Sequence, residues 1–216
     1  MVETTTRHPI QTDTWVKATW DEFVATAYSP PYQDGRAYFD HDFMRIEMSP
    51  LGSAHGQDNS AISHIVTLYG LVRNLPLKEF INTSFRRTGM RECQPDLAYY
   101  IGAALPAPPR ENAPVNVDTA GPPTLVVEIG ATSFSDDLGA KRLLYEQLGV
   151  QEYWVVNTAE QAVIAFEVAD YHSGRIETSQ VLPDLPLSLV NEALQRSAHE
   201  DTSTLGRWLL QAFGNS

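Results

Sequence analysis

The stretch TLVVEIGATSFSDDLGAKRLLYEQLGVQEYWVVN, Thr124 to Asn157, decides how the chain folds. Leu125 to Ile129 is a short apolar run fit for a buried strand, yet it carries one carboxylate, Glu128. A polar loop follows, and Asp136 to Leu148 then has helical periodicity. At about 100° per residue, Lys141 falls inside the stripe formed by Leu138, Leu144, Tyr145 and Leu148. Gly149-Val150 turns the chain into a second apolar strand, Tyr153 to Val156. Strand, helix and strand are consecutive elements that must pack together. An unpaired buried ion is costly, so an acid and an amine placed on its packing faces need each other, a metal or a ligand.

Working outward, Thr14 to Tyr28 contains a helix over about 19–27, with Thr19 as N-cap and Pro30-Pro31 as its stop. Gly35 to Met48 alternates as a β-hairpin turning at Asp40-His41-Asp42. Ile62, Ile65, Val66, Tyr69 and Val72 predict a helix from about 55 to 73. Strands are expected over Phe80–Phe85 and Asp96–Ile101, joined by a loop holding Arg86, Arg87 and Arg91. Residues 102–123, rich in Pro, Ala, Asn and Gly, form a surface loop within one sheet. Strands at Ala162–Val168 and about Glu177–Val181, then helices at Leu187–Arg196 and Thr204–Phe213, complete the chain. The expected class is α/β (α+β), a mixed sheet flanked by helices with an N-terminal hairpin. Residues 1 to about 13 are expected to be disordered, and 14–216 to form a single domain.

The 216 residues suffice for one substantial core. No apolar run approaches the ~20 residues of a membrane span, and no signal-peptide core is visible. The lone Cys93 excludes a disulfide framework and a cysteine-based zinc site. A cytoplasmic protein is expected. The net charge of −12 opposes non-specific binding to a polyanion. The arginines between 86 and 91 are the one local basic cluster, either a solvated face or a phosphate contact.

Lys141 admits a plain account, a lysine snorkelling from the core edge. Glu128 admits another, a structural ion pair with that lysine. Gly130, two positions on, leaves space on the same strand face. Asp96, at the Pro95-Asp96 start of a strand, is a third group from a third element. Two carboxylates suit Mg²⁺, which prefers oxygen ligands and keeps several waters. A lysine beside them could orient or deprotonate a water, or stabilise charge on a phosphate, as metal-assisted phosphodiester hydrolysis requires. His55 could touch a phosphate at a helix N-terminus or be an ordinary surface histidine. Tyr145 could steer Lys141 or simply pack, and Gln94 could face the site. Asp136 and Asp137 are read as first-turn acids favoured by the helix macrodipole.

Pro95-Asp96, Glu128 and Lys141 in this order resemble the PD-(D/E)XK nuclease pattern. In detail the chain resembles the Uma2 (DUF820) restriction endonuclease family. The matching phrases are Ile46-Glu47-Met48-Ser49-Pro50, His55-Gly56, Gln94-Pro95-Asp96, Val126 to Ile129, the Asp137…Lys141…Tyr145 spacing, and Gly149 to Val156. The resemblance implies a restriction-endonuclease-like core, a divalent metal (Mg²⁺ or Mn²⁺) and DNA as substrate. It implies Asp96 and Glu128 as metal ligands, Glu47 as a further acidic ligand, and Lys141 as the catalytic lysine. The E-x-K lysine position is Gly130 here; the lysine stands 13 residues after Glu128, on the helix. A homodimer whose Arg86, Arg87 and Arg91 face DNA would answer the acidic net charge. A catalytically silent nuclease-fold module and a hydrolase of a smaller phosphoester remain as alternatives.

Overall fold

The computed structural model describes residues 9–103, 108–130 and 133–214. Twelve strands and seven helices are present among them. In chain order they are β1 (Val16–Lys17), α1 (Trp20–Ala27), β2 (Arg36–Asp40), β3 (Phe43–Glu47), α2 (Ser53–Val72), β4 (Leu77–Ile81), β5 (Phe85–Arg87), β6 (Arg91–Cys93), β7 (Leu97–Ile101) and β8 (Val115–Asn116). Then follow α3 (Val117–Ala120), β9 (Leu125–Gly130), α4 (Phe134–Asp137), α5 (Ala140–Leu148), β10 (Glu152–Asn157), β11 (Ala162–Ala169), β12 (His172–Ile176), α6 (Leu187–Ser197) and α7 (Thr202–Gly214).

The strands form two six-stranded sheets, ordered β1-β3-β2-β6-β5-β8 and β12-β11-β10-β9-β7-β4. In the second, central sheet, β9 and β10 are parallel and all other pairs antiparallel. The β9–α4–α5–β10 unit is the crossover that a parallel pair requires. Every residue of β9 is buried. Leu125, Val127 and Ile129 pack into the core that α2, α6 and α7 share. Val126 faces the opposite core, with Tyr38, Phe85, Leu144 and Tyr145. By the strand's period of two, Glu128 and Gly130 look the same way as Val126, into the cleft between the two sheets.

The local signals explain most elements. Thr19 and Glu22 form a reciprocal capping box at the start of α1. His41 takes positive φ in the hairpin turn. In the hairpin, Phe39, Met44 and Ile46 pack under α1, so Arg36, Tyr38, Arg45 and Glu47 point the other way, toward the central sheet.

The structure corrects several expectations. The expected 80–85 strand is two strands in different sheets, because Asn82 at φ 48° breaks the run. The arginine loop is a hairpin, β5–β6, in the first sheet. The 136–148 helix is two helices, broken at Gly139, whose φ −108° and ψ −103° are not helical. The expected strand at 177–181 is a turn after β12, with a single bridge from Thr178 to Pro186. The loop 102–123 holds β8 and α3, and its residues 104–107 lie outside the described residues. Residues 1–8 also lie outside them, but 9–13 are held. The Ile10 N–H donates to Tyr32 Oη, and the Asp13 carboxylate accepts from the Met48 and Ser49 N–H groups.

Candidate active site

Asp96 precedes β7, and the β7–β9 register pairs Leu97 with Val127. One step further puts Asp96 opposite Glu128. The Ile129 N–H donates to Asp96 Oδ2 at 2.7 Å. Asp96 Oδ1 meets Arg36 Nη1 at 2.6 Å and His55 Nε2 at 3.1 Å. Burial raises the Asp96 pKa, but His55, Arg36 and the backbone donor outweigh it and hold the carboxyl below its usual range.

Glu128 Oε1 accepts from Tyr145 Oη at 2.6 Å and contacts Tyr38 Oη at 3.2 Å. Tyr38 has one hydroxyl proton, and the Gln94 carbonyl at 2.9 Å competes for it. Glu128 Oε2 has Lys141 Nζ at 3.6 Å. Lys141 is fully buried. Its ammonium lies closer to Glu47 Oε1, at 2.9 Å, and to Asp137 Oδ1, at 3.0 Å, and it sits 4.3 Å above the Tyr38 ring. Glu47 also meets Arg36 and Arg45, each at 2.9 Å.

Four carboxylates, Glu47, Asp96, Glu128 and Asp137, thus face three obligate cations, Arg36, Arg45 and Lys141. A fifth acid, Asp136, stands at the edge, 3.5 Å from Arg45. Burial opposes the Lys141 charge, but Glu128, Asp137 and Glu47 outweigh burial and push its pKa up. Glu47 is lowered despite burial, because Lys141 and Arg36 hold its charge. The surplus falls on Asp137, raised by its burial, and on Glu128. Burial, aided by Asp96 and Asp137 and opposed by Lys141, pushes the Glu128 pKa up to about 8. A proton or a cation is therefore favoured at Glu128.

The donor set fits a hard divalent cation. Asp96 and Glu128 are adjacent carboxylates on one sheet face, and the surplus charge is negative. Among the described residues, no three His, Cys, Asp or Glu side chains are grouped so as to hold a metal. Such a cation would keep several waters. Beside these residues a groove of about 470 Å³ is lined by Arg36, Arg45, Glu47, His55, Ile129 and Ser133, among others. The N-terminus of α2 borders it, and Gly52 gives that helix end no side-chain cap.

The structure thus brings Asp96, Glu128, Lys141, Glu47, His55 and Tyr145 together. His55 is only 7% exposed and pairs with Asp96, so it is not a surface histidine. Gln94 joins through its backbone carbonyl, while its side chain donates to the Asn82 carbonyl. The three arginines stand apart. Arg91 pairs with Asp40 at the hairpin's turn, four residues along β2 from Arg36, or about 13 Å at the strand rise. Arg86 pairs with Glu92 and lies over Trp20 and Tyr28, and Arg87 pairs with Asp118. Arg86 and Arg91 are paired within the first sheet, and Arg87 is paired with Asp118 of α3.

Arg36, Arg45 and Tyr38 are not singled out by the sequence pattern, and Asp137 enters it only as a first-turn acid and through its spacing to Lys141. Arg36 opens a hairpin, where an arginine is unremarkable. Asp137, expected as a first-turn acid, is fully buried and reaches Lys141 one turn on. Its i, i+4 spacing to an amphipathically misplaced lysine is the signal that marks it.

A mixed sheet presenting two acids on neighbouring strands and an amine from the crossover helix defines the restriction-endonuclease-like class. The chain belongs to the Uma2 family: residues 20–199 match the family model described as "Uma2: Putative restriction endonuclease". A similar solved structure is titled a "putative nuclease belonging to DUF820" from Anabaena variabilis ATCC 29413. It is 20% identical, with TM-score 0.50, over 89% of this chain and 99% of that one. No curated protein matches the chain. No helix among the described residues is long and apolar enough to cross a membrane.

Proposed function

We propose that this nuclease-family protein is a divalent-metal-dependent endodeoxyribonuclease. The observation that carries the proposal is the meeting of Asp96, just before β7, with Glu128 of β9 and Lys141 of α5 in one buried, negatively surplus site. Asp96 and Glu128 would hold Mg²⁺ or Mn²⁺, which would supply Lewis-acid stabilisation of the phosphoryl charge and a more acidic water. Lys141 stays protonated under three carboxylates, so it acts as a donor that orients water or stabilises phosphate charge, not as the base. Glu47 serves chiefly by holding Lys141 and Arg36. The groove between Arg36, His55 and the uncapped α2 terminus offers donors to a phosphodiester. Water attacks phosphorus in line, and hydrolysis leaves one phosphate end and one hydroxyl end.

One observation favours the silent-module reading: Asp96 and Glu47 are already ion-paired on the protein itself. Incubating supercoiled plasmid with Mg²⁺ or Mn²⁺ decides. Wild type should nick it, and Glu128→Ala and Lys141→Ala should lose roughly a thousandfold or more in rate. Metal binding by calorimetry without nicking would favour a smaller phosphoester. Absence of metal binding would overturn both enzymatic readings. A homodimer belongs to the proposal, and light scattering showing a monomer at micromolar concentration would count against it.

A further inference from the structure

Gly130 occupies the position where the E-x-K pattern would carry its lysine. A Cβ built there would lie 2.6 Å from Asp137 Oδ2 and 3.1 Å from the Phe134 Cα. The room above Gly130 is therefore filled, and Asp137 is what fills it. Its carboxylate is fixed at both ends: Ser133 Oγ donates to Oδ2 at 2.8 Å, and Oδ1 stands 3.0 Å from Lys141 Nζ. The backbone around it is irregular in a way that serves this placement. The helix breaks at Gly139, and Tyr153 Oη donates to the Asp137 carbonyl at 2.9 Å. With α4 so turned, Asp137 faces inward instead of standing in solvent as a first-turn acid.

We propose that Asp137 is a positioning residue for Lys141: it takes the space of the vacated E-x-K side chain and from there holds the helix-borne ammonium beside Glu128. Lys141 has three acidic neighbours, and Glu128 is the farthest at 3.6 Å. Glu47 holds the ammonium from the first sheet, and Asp137 holds it from the crossover. Without Asp137, the nearer of the two acids left to Lys141 is Glu47, at 2.9 Å against 3.6 Å for Glu128. The catalytic consequence rests on the nuclease reading above, whereas the placement of Lys141 does not.

The chain has only three lysines, Lys17, Lys78 and Lys141, which permits a direct test. Lys17 and Lys78 are exposed and serve as internal controls. Acylation with a water-soluble N-hydroxysuccinimide ester, followed by peptide mass spectrometry, should label those two and spare Lys141 in the wild type. Asp137→Asn keeps the shape and removes the charge. It should raise Lys141 labelling relative to Lys78 by roughly tenfold, with amide exchange along α5 unchanged. Plasmid nicking by the same variant should lose roughly tenfold or more in kcat with KM nearly constant, because position and not binding is lost. Unchanged labelling would overturn the proposal. So would labelling that rises only together with loss of amide protection throughout α5, which marks a merely structural role. If Asp137→Asn does not fold, Ser133→Ala removes one fixing contact and should raise labelling of Lys141 by a smaller factor; no rise would overturn the proposal. If the wild type does not nick DNA, the nuclease reading falls and the labelling alone decides on Asp137.

Discussion

Two glutamates are buried on neighbouring central strands, and they are buried for opposite reasons. Glu152, at the start of β10, is fully buried. Its Oε1 accepts from the Trp154 indole, and its Oε2 from the Gln180 and Val181 N–H groups at 2.7 and 3.2 Å. These partners are neutral donors fixed by the fold. Glu128, on β9, is as deeply buried but meets tyrosine hydroxyls, one ammonium and, beyond these, other carboxylates. Depth does not separate a structural acid from a reactive one; the partners do. Neutral donors satisfy Glu152 and close the turn after β12. Around Glu128 the charges are left one cation short, and that shortage makes it a candidate ligand.

The harshest way to break this contrast is to remove the cation. Lys141→Met should destabilise the protein by about 3–5 kcal/mol, the range for breaking a buried ion pair on one side. Glu47, Asp137 and Glu128 would then lose a shared partner. The loss should shrink as pH falls, because the proton that Glu128 already favours relieves it. Urea melts at pH 5.5 and 8 measure both effects. An equal loss at the two pH values would show that the acids near Lys141 are not charge-crowded.

Glu152→Gln should be milder, about 1–3 kcal/mol, the cost of leaving buried donors unpaired. The amide nitrogen would face N–H groups that now point at an oxygen. Metal-dependent nicking should persist once the lower stability is allowed for. Loss of nicking in a folded Glu152→Gln protein would erase the distinction between the two acids.

The same contrast explains how much of the fold and of the site is legible in the sequence. Glu128 and Lys141 stand out because a charge in a regular apolar pattern is an exception to a local rule. The capping box at Thr19 and Glu22 is legible because both partners lie within one turn. Arg36 obeys its local pattern, since a polar residue opening a hairpin is ordinary. Its bridging of Asp96 and Glu47 depends on which sheet the hairpin joins, and hydrophobic period reports a strand's faces but not its neighbours. The split into two sheets is hidden for the same reason. Arg86, Arg87 and Arg91 mislead because clustering in sequence says nothing of Glu92, Asp118 and Asp40 already holding them.

Asp58 supplies a third buried acid and the finest test. It lies on α2 one turn after His55, 5% exposed, and its Oδ2 has no hydrogen-bond partner among the described residues. Here burial dominates, only partly offset by His55, and the pKa is raised to about 6. The usual aspartate value is near 3.9. Between these values the folded protein keeps a proton that the unfolded chain gives up, so this contribution to stability is complete below about pH 4 and is lost as pH rises through about 6. Asp58→Asn should therefore stabilise the protein at pH 7.5, by about 1 kcal/mol after discounting for solvent screening, and leave it unchanged at pH 4. On a domain of this size that is about 2–4 °C in Tm. The difference between variant and wild-type melting curves at the two pH values isolates Asp58 from the other titrating acids. A stabilisation equal at both would mean the carboxylate finds a partner as Glu152 does. A loss at pH 7.5 would mean its charge is needed beside His55, placing Asp58 with the Glu128 cluster.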